Sequence, residues 1–489
     1  MGVDRSPGTA GAGINTRRTP RPTVCRARRV TGYLTEDICC FIEGLSLIGY
    51  SRMLPTIRGY VNPFRIDQYP SVAMEFMKDP ALALDYAREM DATDPLMGFQ
   101  DQFLVEDPHL IYLDGNSLGR VPKRTVALMQ QLVEVQWATR LVRGWGEHWI
   151  DLPQRLGGKI AGLIGAKPSE VLVCDSTSIN LYKLIMAALA ARSDRRQIVS
   201  DRSNFPSDVY LLQGCAKDGV HEVILADDNL IEDSLSDDVA LLTLSHTAFK
   251  SGLIHPMEQL TAKAHSVGAL TLWDLSHSVG AIPIDLSQSK VDLAVGCTYK
   301  YLNGGPGAPA FLFVREDLQS QLLSPIWGWF GQKDPFGFSL EYSPAEGLTR
   351  FLAGTPPILS MAAIEPGIDL VCEAGIARIR EKSVLQTEFL IGLWEVFLEP
   401  LGMTLNSPRD SKIRGSHVSF GHPHGFQIDQ ALINEMKVIP DFRHPDNIRI
   451  GVTPLSTTFV ELATAVARIK QVIEEKAYEK YPSAQSKVT

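Results

Sequence analysis

The sequence predicts an α/β protein: a large domain with a mainly parallel seven-stranded sheet covered by helices, plus a smaller C-terminal α/β domain. The chain has 489 residues, which is too many for one small core. Between residues 163 and 314, apolar segments of strand length alternate with segments of helical period. Most of the apolar segments lack polar alternation, which is typical of parallel strands buried on both faces. The predicted strands cover residues 171–174, 197–200, 222–226, 239–245, 269–274, 291–297 and 309–314.

Residues 1–73 are predicted to form a disordered or atypical N-terminal extension. The first 29 or so are rich in Arg, Pro, Gly and Thr, a composition that does not favour a packed core. Three interpretations stay open: a disordered tail, a transit-like presequence, or translated sequence upstream of the true start. Met74 is a plausible alternative start, because a helix-like apolar pattern runs from it to Met90.

Residues 74–150 are predicted to form an N-terminal segment that contributes to the small domain and to the functional site. A short strand at 110–113 leads into a turn at 114–119. A helix is expected over 121–142, because a proline stands in its first turn.

The large domain is assigned to residues 151–360 and the small domain to residues 361–489. Helices over 179–191, 206–217 and 257–267 are expected between the strands of the large domain. The small domain begins with a long helix over 361–399, interrupted near Pro366. Its predicted strands are 403–406, 417–420, 437–441 and 448–452, and a closing helix covers 458–476.

The composition of the chain argues against several classes of binding partner. The formal net charge of −9 argues against nucleic acid and against anionic membranes. The most apolar segment, 38–50, is too short to span a bilayer and is interrupted by Glu43. Seven cysteines without a C-x-x-C pair favour a reducing compartment, so we expect a cytoplasmic protein. No metal site is expected, since the adjacent Cys39 and Cys40 are geometrically poor ligands.

Lys300 stands at the end of the apolar strand 291–297, just before a glycine-rich break at 303–307. Burial disfavours an ammonium group, so a lysine at this position is easily deprotonated and can form a Schiff base with an aldehyde. A lone lysine at a strand end is more often simply solvated. The functional interpretation therefore depends on a partner elsewhere in the chain.

Asp274 is that partner. It ends the apolar strand 269–274, one strand before the strand that precedes Lys300. The carboxyl ends of parallel strands share one edge of a sheet, where ligands bind. An aspartate and a lysine placed in this way can pair with a pyridinium nitrogen and hold an aldehyde carbon. The pair therefore predicts pyridoxal phosphate as the cofactor.

Three further segments suit the same cofactor. Thr177 and Ser178 precede an apolar helix, where hydroxyl groups are ordinary N-caps but also bind phosphate readily, and both interpretations can hold together. Phe205 can stack on a flat ring and Asp208 can accept a hydrogen bond from a ring substituent. Tyr299 can add a hydrogen bond to phosphate.

Assembled, these residues make the chain resemble the kynureninase family, enzymes with the aspartate-aminotransferase (type I) fold of the class V aminotransferase-like group. The resemblance extends from about residue 114 to residue 455. Its most specific part is the block around Lys300. The segments that carry it are 112–119, 177–181, 204–208, 273–278, 296–307, 328–331 and 354–357.

The resemblance implies a hydrolase that converts L-kynurenine to anthranilate and L-alanine, a step of tryptophan degradation and NAD biosynthesis. It places the Schiff base on Lys300, with Asp274 and Tyr299 as the other catalytic residues. The enzyme would be a homodimer with shared active sites. The implied cofactor contacts are Thr177, Ser178, Phe205, Pro206, Ser207, Asp208, Asp274, His277, Tyr299 and Lys300, with Trp329 and Thr355 from the other subunit.

Substrate contacts are implied for Arg449, which would bind the substrate carboxylate, and for Asn116 and Ser117 in the 112–119 segment. Trp145 is either an ordinary core aromatic or a wall of a pocket for the aryl group, and both interpretations stay open.

Three departures from the family pattern leave open which substituent the protein prefers on the aryl ring of the substrate. Gln332 stands where many members carry His, Ser456 stands where Pro-Leu-Tyr is usual, and Pro440 replaces a usual glycine. Kynurenine and its 3-hydroxy form therefore both remain candidate substrates.

Two alternatives compete with this function. A cysteine desulfurase shares the fold but needs a flexible loop thiol, whereas Cys372 lies in a helical pattern. A catalytically silent protein of the same fold would not need the lysine, the aspartate, the phosphate cap and the arginine together.

Overall fold

The computed structural model describes residues 79–483. The described residues all belong to one compact unit. The predictions made for residues 1–73, for Met74 as a start and for the segment 38–50 lie outside the described residues.

The strands bury apolar and β-branched side chains, as the sequence predicts. Two of them, Glu222–Ala226 and Val239–Ser245, have the predicted ends, and the ends of the others differ by at most two residues, except that the predicted strand 437–441 is two short strands. They are β1 (Ile111–Tyr112), β2 (Val171–Val173), β3 (Gln197–Asp201), β4 (Glu222–Ala226), β5 (Val239–Ser245), β6 (Leu270–Asp274), β7 (Leu293–Gly296), β8 (Phe311–Val314), β9 (Thr404–Leu405), β10 (His417–Gly421), β11 (Val438–Ile439), β12 (Asp441–Arg443) and β13 (Asn447–Gly451).

The large sheet has seven strands in the order β2-β8-β7-β6-β5-β3-β4. Strand β8 is antiparallel to both of its neighbours, and the other pairs are parallel. Every residue of β5, β6 and β7 is buried. Leu272 and Trp273 belong to different apolar clusters, because successive side chains of a strand point to opposite faces. The predicted α/β class with a mainly parallel sheet is confirmed.

Helices cover this sheet and fill the C-terminal part of the chain. The α-helices are Pro80–Thr93, Lys123–Gln131, Leu152–Leu163, Thr177–Ala191, Pro206–Cys215, Met257–Ser266, Ile358–Ala362, Glu365–Ala374, Ile376–Phe397, Gly425–Glu435 and Phe459–Glu474.

Two predicted helices are wrong in their continuity. The α-helix expected over 121–142 ends at Gln131 and continues as a π-helical segment, Leu132–Arg140, until Leu141 adopts a positive φ of 53°. The helix expected over 361–399 is interrupted after Ala362, close to Pro366 as predicted, and breaks a second time at Gly375, whose φ of 81° is not helical. That proline lies in the first turn of its helix, where its missing N–H breaks no hydrogen bond.

The smaller sheet is antiparallel, with the order β12-β13-β10-β9. Its apolar cluster includes side chains from the helices Pro80–Thr93, Ile376–Phe397 and Phe459–Glu474. Strand β1 pairs in parallel with β11. The segment before residue 113 is therefore joined to the C-terminal part of the chain, while the domain boundaries at 150/151 and 360/361 stay predictions.

Among the helices of residues 79–483, none combines the length and the apolar character that crossing a membrane requires.

Candidate active site

The carboxyl ends of the central strands form the candidate site. Asp274 is the last residue of β6, and Lys300 follows β7. After β3, a short loop leads to Phe205, and Asp208 lies in the first turn of the helix Pro206–Cys215. Since these strands are parallel, their ends lie at one edge of the sheet. A cavity of about 150 Å³ opens there. The predicted residues that line it are Thr177, Ser178, Phe205, Ser207, Asp208, Asp274, His277, Tyr299 and Lys300.

Lys300 is half-buried and its amine contacts the imidazole of His277. The Lys300 Nζ lies 2.9 Å from His277 Nε2 and 5.8 Å from the centre of the Phe205 ring. Burial, and next the charge of Lys300, hold the pKa of His277 well below its usual range. A neutral ring can accept a hydrogen bond from the lysine at Nε2, which leaves the ring proton on Nδ1, an atom without a partner.

Asp274 and Asp208 form a buried pair of carboxyl groups. Burial raises the pKa of both, and the charge of Asp274 raises the pKa of Asp208 further, well above its usual range. A hydrogen bond joins the two side chains, and Asp274 Oδ1 also accepts one from the backbone N–H of Ser276 at 2.8 Å. Asp208 therefore keeps its proton and donates it to Asp274. The negative charge that stays on Asp274 can stabilise a protonated ring nitrogen.

The helix Thr177–Ala191 begins at the same cavity and suits an anion. Ser176 is its N-cap and accepts from the backbone N–H of Ile179. The hydroxyls of Thr177 and Ser178 line the cavity at the positive end of the helix dipole. Ser176 is thus the cap, so the two hydroxyls predicted to contact phosphate are not needed for capping. The hydroxyls, the carboxyl pair and the lysine together fit pyridoxal phosphate.

Tyr299 contributes a phenol that keeps its proton. Burial raises the pKa of Tyr299 above its usual value, and the neighbouring Cys297 and Asp274 raise it further. Its hydroxyl is therefore a hydrogen-bond donor at neutral pH.

Arg449, on β13, is 1% exposed and already has several partners. Its guanidinium lies 2.5 Å from Asp441 and 3.5 Å from Asp114, and it donates to Ser117 Oγ at 2.7 Å. The Nε–H has no partner. A substrate carboxylate at this arginine would therefore have to share it with Asp441 or use the free Nε–H.

Asn116 is fully buried, and neither its amide oxygen nor its amide nitrogen has a partner. It packs against Gly451, where any side chain would overlap it. The isolated bridge between Asp114 and Gly451 holds this turn beside β13. Asn116 and Ser117 thus both lie next to the segment that carries Arg449.

The sequence analysis missed His417 and Asp441. His417 is fully buried, its ring centre lies 5.8 Å from that of His277, and neither of its nitrogens has a partner. Asp441 pairs with Arg449 across the β12–β13 ladder. Both lie at the ends of predicted strands, so a correct register for the small sheet would have revealed them.

Some predicted residues do not line the cavity within one chain. Pro206 lines a neighbouring cleft. Trp329 is 43% exposed and Thr355 is exposed. Trp145 packs against Trp149 and Phe330, with ring centres 5.6 and 5.8 Å apart. Within one chain, this arrangement favours the interpretation of Trp145 as a packed aromatic.

Asp429 is expected to make stability depend on pH. This carboxyl is fully buried, and burial together with the charge of Asp441 raises its pKa to about 7, against about 3.9 in an unfolded chain. Stability from a raised carboxyl pKa is complete below about pH 4 and is lost as the pH rises to about 7. We expect the stabilising effect of Asp429→Asn to grow by about 3 kcal/mol between pH 5 and pH 8. Urea unfolding at the two pH values measures this, and an equal effect at both would contradict it.

Comparison with known proteins supports the same family. The model of the kynureninase C-terminal domain matches residues 379–469. A kynureninase from Pseudomonas fluorescens is 43% identical over 397 residues, which cover 80% of this chain and 95% of that protein. A kynureninase from Burkholderia mallei is 42% identical over 400 residues, covering 80% and 96%.

Solved structures show the same fold at lower identity. The apo structure of a cysteine desulfurase from Thermococcus onnurineus matches with a TM-score of 0.66 at 21% identity, covering 79% of this chain and 98% of that one. An Escherichia coli cysteine desulfurase matches with a TM-score of 0.66 at 15% identity, covering 78% and 98%. Because the identity to the kynureninases is twice as high and extends over nearly their whole length, the chain belongs to the kynureninase family.

Proposed function

We propose that the protein is a kynureninase that uses pyridoxal phosphate to hydrolyse L-kynurenine to anthranilate and L-alanine. The observation that carries the proposal is the placement of Lys300 and Asp274 in one cavity at the carboxyl edge of the sheet, in a chain 43% identical to a kynureninase. The helix N-terminus at Thr177 supplies the phosphate end of the same cavity.

Bound pyridoxal phosphate would supply an aldehyde that captures the substrate amine and a ring that takes up negative charge from the α-carbon. The Lys300 amine, once free, is the base for the α-proton, and His277 orients it through the contact of 2.9 Å. Asp274 holds its negative charge against the ring nitrogen, while Asp208 keeps its own proton. Tyr299 offers a hydroxyl proton for a later step.

Arg449 binds the substrate carboxylate in this proposal, with Ser117 and Asn116 beside it. The guanidinium donates to Ser117 Oγ, and the unpartnered amide of Asn116 packs against the same strand. Asp441 and Asp114 keep the buried guanidinium compensated before the substrate arrives.

The desulfurase alternative has little support from the cysteines. Cys372 lies in the helix Glu365–Ala374 and does not line the cavity. Burial raises its pKa, which disfavours the thiolate that attack on sulfur needs.

The proposal is tested by adding pyridoxal phosphate to the purified protein and following fluorescent anthranilate from L-kynurenine, with 3-hydroxy-L-kynurenine assayed beside it. We expect turnover of at least one of the two and none from cofactor-free protein. Sulfide from cysteine, with no product from either kynurenine, would reverse the ranking of the two functions.

The protein acts as a homodimer in which Trp329 and Thr355 complete the site of the other subunit. Trp329, Phe336 and Phe338 form an exposed aromatic patch, with 43%, 63% and 76% of their surfaces accessible. Such a patch marks a protein interface. Thr355 is also exposed and does not line the cavity of its own chain.

Co-expression of Lys300→Ala and Trp329→Ala chains tests the shared site. Each variant alone lacks one part of every site, whereas a mixed dimer regains one intact site. Random pairing should therefore restore about a quarter of the wild-type activity, since half of the dimers would carry one good site of two. As the control, the two variants are purified separately and mixed under conditions in which subunits do not exchange, and no activity should be restored. No recovery in confirmed mixed dimers would place Trp329 in the site of its own subunit.

A cytoplasmic location is part of the proposal. Cys174, Cys297 and Cys372 are free thiols in the described part of the chain, which suits a reducing compartment.

A further inference from the structure

A second cluster of polar side chains lies at the end of β3, just before Phe205 and the helix Pro206–Cys215. It consists of Asp201, the last residue of β3, with Asp228 and His255. One carboxylate oxygen from each aspartate and one ring nitrogen of His255 all lie within 4.8 Å of one another. Asp201 is fully buried, His255 is 3% exposed, and Asp228 is exposed.

The buried part of the cluster is incompletely paired. Asp201 Oδ1 has no hydrogen-bond partner, and neither has His255 Nε2. The Nε2 points into the cluster, since it lies 3.4 Å from Asp201 Oδ2. A buried carboxylate without a compensating charge is costly, so such groups are paired with a cation or bind a metal.

The contacts of Ser203 also indicate that the two carboxylates lack a neighbouring cation. Its Oγ lies 2.8 Å from Asp201 Oδ2 and 2.7 Å from Asp228 Oδ1. A hydroxyl has one proton and can donate to only one of the two carboxylates. The other short contact brings two oxygen acceptors together, which a cation between the carboxylates would relieve.

The neighbouring arginines have other partners. Arg202 pairs with Asp227 at 3.3 Å, and Arg443 pairs with Asp441 at 2.6 Å. Asp228 lines an open cleft of about 730 Å³, through which an ion can reach the buried ligands.

We propose that Asp201, Asp228 and His255 bind one divalent transition-metal ion, of the Zn²⁺ or Mn²⁺ class, with water completing its coordination. Two carboxylates and one imidazole suit such ions, whereas Ca²⁺ and Mg²⁺ prefer oxygen ligands alone. The sequence analysis expected no metal site. The three ligands come from separate segments, so no ligand spacing along the chain announces them.

The ion would hold in place residues that line the cofactor cavity, and it would not contact the substrate. Asp201 and Ser203 lead directly to Phe205 and to the helix Pro206–Cys215, which carries Asp208. Phe205 and Asp208 both line the active-site cavity. Binding would tie the end of β3 to the segments of Asp228 and His255. The expected result is a higher melting temperature and a loop held in place against the cofactor ring.

The test uses full-length protein without an affinity tag, loaded with pyridoxal phosphate and treated with a chelator. Zn²⁺, Mn²⁺, Mg²⁺ and Ca²⁺ are each titrated by calorimetry and in thermal melts. We expect Zn²⁺ or Mn²⁺ to bind at one site per chain and to raise the melting temperature, with Mg²⁺ and Ca²⁺ much weaker. Asp228→Asn should weaken this binding at least about tenfold. Its side chain is exposed, so the fold should survive.

Asp227→Asn is the matched control, because it removes the adjacent exposed carboxylate and should leave the binding unchanged. His255→Gln should lose the ion as Asp228→Asn does. Unchanged affinity in Asp228→Asn, equal loss in Asp227→Asn, or no stoichiometric binding by the wild-type protein would overturn the proposal.

Discussion

Replacing Lys300 by alanine is expected to lower turnover of L-kynurenine by more than about a thousandfold. The substitution removes both the amine that condenses with the aldehyde and the base that takes the α-proton. It also leaves the ring of His277 without its only described polar contact in the cavity, which is the lysine amine. The visible absorbance of the bound cofactor and the rate of anthranilate release measure the two losses separately.

Lys263→Ala is a suitable control for this prediction. Lys263 lies exposed on the helix Met257–Ser266, away from the cavity, so absorbance and turnover should stay at wild-type levels. Turnover retained by Lys300→Ala would remove the proposed mechanism.

The second large effect is expected from Asp274→Asn, with a fall in kcat/KM of roughly a thousandfold, equivalent to about 4 kcal/mol of transition-state stabilisation. The amide keeps the shape of the side chain but loses the negative charge that holds a proton on the ring nitrogen. The affinity for pyridoxal phosphate should fall as well, because its protonated ring nitrogen loses the negatively charged partner. The measurements are kcat/KM and the dissociation constant of pyridoxal phosphate.

Asp208→Asn is the informative comparison. Because Asp208 already keeps its proton, an amide there preserves a neutral donor towards Asp274. The loss should therefore be clearly smaller than for Asp274→Asn. A larger loss for Asp208→Asn would mean that the two carboxyl groups have the opposite protonation.

Most of the large sheet could be predicted because most of its strands are buried on both faces. Residues 239–245 form a fully buried strand with the predicted ends, since a mainly apolar segment between turn residues has few other conformations. The edge strand 222–226 also has the predicted ends, although it is only partly buried. Helix continuity was harder to predict. The break at Gly375 and the π-helical segment Leu132–Arg140 depend on packing against neighbouring elements, which the local pattern does not contain.

The α/β class, the strand that ends at Asp274 and the strand that precedes Lys300 could be predicted from the residues alone, because burial and chain breaks are local properties. Which side chains contact Asp274 and Lys300 could not be predicted in this way. The contact of His277 with the lysine, the burial of His417 beside it and the pairing of Asp441 with Arg449 depend on strand register and on connections between distant segments. Proximity across strands is set by the whole fold, so no single stretch of sequence records it.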